Sequence, residues 1–134
     1  MRQLSMKRNK YESIFDFTVS SYVLGQFLAV FKGAGFGVSG GVYPYFKDKN
    51  GFLVDSSRDL KEGLFSKTII HPNQIEILNK LYKVTQKEFD EALEIFFNDE
   101  VIFNQNGKMA EKTTMTPFAE KIVKRALIYG IVNF

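Results

Sequence analysis

The chain has 134 residues, 45% of them hydrophobic and 25% charged, enough apolar material to bury the core of one ordinary domain. Eighteen Lys and Arg against fifteen Asp and Glu leave a net charge of +3 spread along the chain, weak support for an anionic partner. Cysteine is absent and His71 is the sole histidine, which excludes disulfides, thiolate zinc sites and histidine clusters and leaves only carboxylates to hold a metal.

After a polar, basic start (Arg2, Lys7, Arg8, Lys10), apolar residues from Ile14 to Val30 recur at nearly helical spacing and predict a helix over about 15–31, stopped by Lys32-Gly33-Ala34-Gly35. Residues 36–39 are a short buried-strand candidate, and Gly40-Gly41 ends it in a turn. From Tyr43 to Asp55 the pattern reads as an excursion loop with an Asn50-Gly51 turn, followed by a short helix capped by Ser56 or Ser57 and running through Leu64. Residues 67–71 read as a second buried strand, and Pro72 opens a helix continued by Ile75, Leu78 and Leu81. Thr85 and Glu88 form a capping box ahead of a helix with Phe89, Ala92, Leu93, Phe96 and Phe97 along one side. A last helix is expected from about Thr116-Pro117 to Tyr129, ended by Gly130. Two strands, each following a helix, indicate an α/β chain, and fourteen Phe with six Tyr exceed what a small free-standing core needs. Some of these aromatics are expected to face a partner. No apolar run reaches the roughly 18 residues of a bilayer span, so a cytoplasmic chain without a membrane partner is expected.

Three segments carry a family resemblance. GLFSKTIIHPNQIEILNKLYKVTQKEFDEAL (63–93) is similar to the GK-x-x-IHP-x-Q-I signature of HpcH/HpaI aldolases and citrate-lyase-β-type carbon–carbon lyases. NGKMAEKTTMTPFAEKIVKRALIYGI (106–131) resembles their C-terminal G-x-M-x-(D/E) segment, and FGVSGGVYPYF (36–46) their penultimate strand and loop. The subgroup it most resembles comprises the TIM-barrel lyases found with tellurite-resistance genes. The resemblance implies the C-terminal portion of a (β/α)₈ barrel: one partial domain over 1–134, with core strands at 36–39 and 67–71, four to five helices in all, and a C-terminal helical segment at 85–134. It also implies Mg²⁺ in the complete enzyme, on a Glu and an Asp that, with a substrate-orienting Arg, would precede Met1; this chain alone is expected to bind no metal and to lack turnover. The implied substrate is a hydroxy or keto acid or its acyl-CoA thioester.

Barrels place functional groups at the C-terminal ends of their strands. On that ground Ser39, Gly40 and Gly41 are candidates to present backbone N–H groups to an anion, against a plain turn. His71, Pro72 and Gln74 are candidates for substrate or cofactor contact; for His71 the competing role is a cap on the following helix, and for Gln74 plain helix surface. Glu111 falls where the family often carries an acidic residue reaching into a neighbouring subunit as acid or base; beside Lys112 it reads equally as a solvated ion pair. The basic start and Lys121, Lys124 and Arg125 read as solvated faces rather than a nucleic-acid footprint. The expected partners are the remainder of the barrel or further copies of the chain. The competing function is a truncated, catalytically silent module that self-associates or pairs with a barrel homologue.

Overall fold

The computed structural model describes residues 5–10 and 12–133; Arg2 of the basic start lies outside them. The chain packs as two compact units that divide between Leu81 and Tyr82.

In the first unit a 3-10 turn, Ile14–Asp16, is held by a reciprocal capping box between Ser13 and Asp16 and leads into helix α1, Thr18–Gly33. Helix α1 contains one charged residue, Lys32, and among its described residues only Ser20 is buried. Val19, Tyr22, Val23, Phe27, Val30 and Phe31 are exposed. Apolar side chains thus lie around most of the girth of this helix and are open to water.

Helix α2 runs Lys49–Lys61, where a loop and a later, shorter helix are predicted. Asp48 is its N-cap, with Oδ1 accepting from the Gly51 N–H at 3.1 Å. Gly51 is therefore no turn residue but part of the first helical turn. Its lack of a side chain is required, since a Cβ there would overlap the Tyr43 hydroxyl and the Asp48 carboxylate. Ser56, expected as a cap, is fully buried in mid-helix. After the C-cap Glu62 comes Gly63, whose φ of +81° favours glycine and whose carbonyl accepts from Lys32 Nζ at 2.7 Å. Where strands at 36–39 and 67–71 are expected, segments 36–41 and 64–71 carry no regular strand and meet at one isolated parallel bridge, Gly40 with Lys67. Helix α3, Asn73–Leu81, follows directly after Pro72.

The second unit contains strand β1 (Val84–Thr85), helix α4 (Gln86–Phe97), strands β2 (Ile102–Gln105) and β3 (Lys108–Glu111), helix α5 (Lys112–Tyr129) and strand β4 (Ile131–Val132). The Thr85–Glu88 capping box is present, with the Glu88 N–H donating to Thr85 Oγ1 at 3.1 Å and the Thr85 N–H to Glu88 Oε2 at 2.9 Å. Ala92 and Ile95 of α4 face Ala119, Ile122 and Ala126 of α5 in one core with Val84, Phe103 and Ala110. Alanines at these positions let the helix backbones approach closely. Phe97, expected on the apolar side of α4, points outward and is 79% exposed.

The predicted helical segment over 85–134 is interrupted by an antiparallel hairpin, β2 with β3, in register Ile102 to Glu111 and Gln105 to Lys108. Asn106 (φ 50°) and Gly107 (φ 82°) both take positive φ, as a two-residue type I′ turn demands. Helix α5 begins four residues before Thr116 because Glu111, at the end of β3, caps it. Pro117 then lies inside the helix, where it withholds one N–H. Arg125, expected on a solvated face, is buried, with NH2 at 3.5 Å from Glu88 Oε2. Strands β1 and β4 pair in parallel, Val84 with Ile131 and Thr85 with Val132.

Candidate functional site

The C-terminal ends of the two extended segments meet around Gln74. It is 1% exposed: Oε1 accepts from the Ile70 N–H at 3.0 Å and Nε2 donates to the Tyr43 carbonyl at 3.1 Å. Neither an outward hydrogen bond nor a place on the helix surface describes it; the side chain is a buried clamp between two chain segments. Pro72 is exposed, and its carbonyl accepts from the Ile75 N–H in the first turn of α3. His71 Nδ1 accepts from the Asn73 N–H at 3.1 Å, the capping arrangement, and its ring stacks on Phe46 at 4.7 Å. With Nδ1 an acceptor, a neutral His71 carries its proton on Nε2.

Close to the C-terminal end of the first segment, the Gly40 N–H donates to Ser66 O at 2.8 Å and its carbonyl accepts from the Thr68 N–H at 3.3 Å. Its amide is thus engaged in the bridge rather than offered to an anion. Ser39 Oγ donates to the Gly40 carbonyl at 3.3 Å, whereas nothing stands within 4 Å of the place where a Cβ on Gly41 would lie.

The sequence reading missed an interior charge cluster. Lys67 Nζ, with its side chain fully buried, donates to Asp55 Oδ2 at 2.7 Å and Asp59 Oδ2 at 2.5 Å. Arg8 adds a second cation 3.6 Å from Asp55 Oδ1 and lies over the Tyr43 ring. Burial raises the Asp59 pKa from its ordinary range, opposed by the hydrogen bond and charge of Lys67. Burial likewise pushes Tyr43 up, aided by its hydrogen bond to the Asp48 carboxylate at 2.9 Å. The available signal was the spacing: Asp55 and Asp59 sit at i, i+4 on one face of α2 beside Phe52 and Ser56, and Lys67 opens a buried strand.

In the second unit, Glu111 has both carboxylate oxygens occupied. They accept from the Thr113 N–H at 2.9 Å and the Thr114 N–H at 2.8 Å, and from the Thr114 hydroxyl. These bonds, led by those from Thr114, lower its pKa from the ordinary 4.5 to about 2. Lys112 donates instead to the Asn98 carbonyl at 2.9 Å. Among the described residues no group of three or more His, Asp or Glu side chains could hold a metal ion. Where Asp55 and Asp59 converge, the Lys67 ammonium already sits in the place a cation would take, so this pair does not fit Mg²⁺. No helix among them is long and apolar enough to cross a membrane.

Residues 1–131 match the family model for carbon–carbon bond lyases of the TIM-barrel fold, and the chain belongs to that family. Citrate lyase subunit beta of Escherichia coli K12 is 31% identical over 97 residues, covering 67% of this chain and 32% of that protein. The same subunit of Leuconostoc mesenteroides subsp. cremoris is 26% identical over 119 residues, covering 84% and 39%. A (3S)-malyl-CoA thioesterase of Cereibacter sphaeroides is 33% identical over 69 residues, covering 52% and 24%. Among solved structures, CitE from Mycobacterium tuberculosis, in complex with magnesium, acetoacetate and coenzyme A, matches with a TM-score of 0.62 at 21% identity. That match covers 81% of this chain and 41% of that one, and it supports the fold. The chain spans about a third of the length of the citrate lyase subunits it matches. It is a mixed α/β, citrate-lyase-β-like C-terminal portion of a (β/α)₈ barrel.

Proposed function

We propose that this chain supplies the C-terminal part of a Mg²⁺-dependent carbon–carbon bond lyase that cleaves a hydroxy or keto acid, or its acyl-CoA thioester, by retro-aldol or retro-Claisen chemistry, and that it is inactive alone. The observation that carries this reading is the platform at the ends of the two parallel segments, where His71 stacks on Phe46 and Gln74 joins Tyr43 to Ile70. In a barrel that end hosts the chemistry. Phe46 also borders a cleft of about 440 Å³ lined by Lys10, Lys47 and Asp48, in which Lys10 pairs with the Asp48 carboxylate at 3.6 Å and Lys47 lies over the Phe46 ring. An Nε2–H on His71 supplies a donor for a substrate carbonyl oxygen, and Gly41 leaves room for close approach. Glu111 serves as acid or base, in a neighbouring subunit, only after it leaves the α5 cap, because the capped carboxylate is too weak a base at neutral pH.

Mg²⁺ in this reading is held by carboxylates from the rest of the barrel, to which residues 1–134 contribute one partial domain. The open apolar face of α1 calls for such a covering surface. The same face supports a second reading, a silent module that associates with itself or with a barrel homologue. Localisation in the cytoplasm and the tellurite-resistance subgroup belong to the first reading.

Calorimetric titration with Mg²⁺, light scattering and a thioester-cleavage assay on malyl-CoA test both. The expected result is no saturable Mg²⁺ binding, no turnover and a self-associated mass. Saturable Mg²⁺ binding with turnover by the chain alone would refute the incomplete-site reading. A silent chain that gains turnover when co-expressed with the preceding barrel strands would favour the lyase portion over the silent module.

A further inference from the structure

Gly40 and Lys67 are the two partners of the parallel bridge, and one side chain touches both. The Asp59 carboxylate accepts from Lys67 Nζ at 2.5 Å and also fills the space a side chain on residue 40 would need, so that a Cβ there would overlap Asp59 Oδ2 and crowd its Cγ. Two backbone hydrogen bonds, Gly40 to Ser66 and Thr68 to Gly40, are few to fix a register, and a slip of one residue would turn every side chain of a segment to its opposite face. Such a slip would carry the buried Lys67 away from its carboxylates and His71 away from Phe46. Asp55 differs in kind from Asp59: it shares Lys67 but also faces Arg8, and it has no contact with Gly40 comparable to that of Asp59.

We infer that Asp59 is a positioning residue for the strand-end platform: its charge, seated between Lys67 and Gly40, fixes the register of segments 36–41 and 66–71 and thereby sets His71 and Gln74 against Tyr43 and Phe46. The functional meaning rests on the reading of that platform as the site. The register itself is a property of the chain, and its test uses no substrate, so the two stand or fall separately.

Amide hydrogen exchange followed by NMR on the full chain decides the matter. Asp59→Asn keeps the shape and removes the charge. It is expected to speed exchange at Gly40 and Thr68 by about tenfold or more relative to amides within α3, while Asp55→Asn changes them by less than about threefold. Unchanged relative exchange in Asp59→Asn, or an equal rise in Asp55→Asn, would overturn the inference. Should Asp59→Asn fail to fold, the double variant Asp59→Asn with Lys67→Gln leaves no unpaired buried charge. Protection at Gly40 and Thr68 lost in that variant upholds the inference, and protection retained overturns it.

Discussion

Gln74→Leu removes two hydrogen bonds from a buried side chain while nearly conserving its volume. Gln74 is 1% exposed, so the substitution opens no route for water of its own, and the Ile70 N–H and Tyr43 carbonyl lose their partners at 3.0 and 3.1 Å. Each bond contributes about 1 kcal/mol net, and a buried polar group left unsatisfied costs about 1–3 kcal/mol. Leucine recovers part of this through its larger apolar surface, roughly 1 kcal/mol. The net loss should be about 2–4 kcal/mol, which at a urea slope near 1–2 kcal/mol/M moves the unfolding midpoint down by more than about 1 M. The chain has two compact units, so unfolding should be followed with a probe in the first, such as Tyr43 or Ile70 resonances. Faster exchange at the Ile70 amide should accompany the shift. A midpoint within about 0.3 M of the parent, with Ile70 still protected, would refute the buried-clamp assignment.

The Glu111 cap predicts a specific pH dependence. Its folded pKa lies below the ordinary value, so its stabilisation is fully present above 4.5 and is lost as pH falls through about 2. The gap in thermal midpoint between the parent and Glu111→Ala should stay constant from pH 7 to 5 and shrink steadily as pH falls from 4.5 through about 2; a gap as large at pH 2 as at pH 7 would contradict the cap. Phe103→Ala, in the core between the hairpin and α4 and α5, should destabilise the second unit by about 3–4 kcal/mol in urea unfolding, and a loss below about 1 kcal/mol would mean the hairpin does not pack there. Gly51→Ala forces a methyl group onto the Tyr43 hydroxyl and the Asp48 carboxylate. It should cost about 1–3 kcal/mol, although alanine is the better helix former; a stabilised variant would argue against the close approach.

What could be read from the sequence was local. The Thr85–Glu88 box, the helices that the apolar periodicities of α1 and α4 announce, and the Pro72 start are set by neighbours within four residues, and the structure contains them, although Phe97 and most of the apolar side chains of α1 stay exposed. The hairpin at 102–111 was within reach as well, since Asn106-Gly107 between apolar strands is a strong type I′ signal that the surrounding helices obscured. Helix α2 was not, because its glycine reads as a turn until Tyr43 and Asp48 are known to occupy the space beside it. The same holds for function. IHPNQ drew attention to His71 and Gln74 by resemblance, but whether each side chain faces substrate, caps a helix or clamps two segments depends on contacts between residues about 30 apart in the chain. The charge cluster is the clearest case: Asp55 and Asp59 are spaced to share a helix face and Lys67 falls in a strand candidate, but only folding removes them from water and obliges them to pair. Local patterning therefore determined several of the helices and, through motif resemblance, the family. Tertiary packing decided which polar groups were buried, and burial fixes their roles because an interior charge or amide must find its partner within the protein.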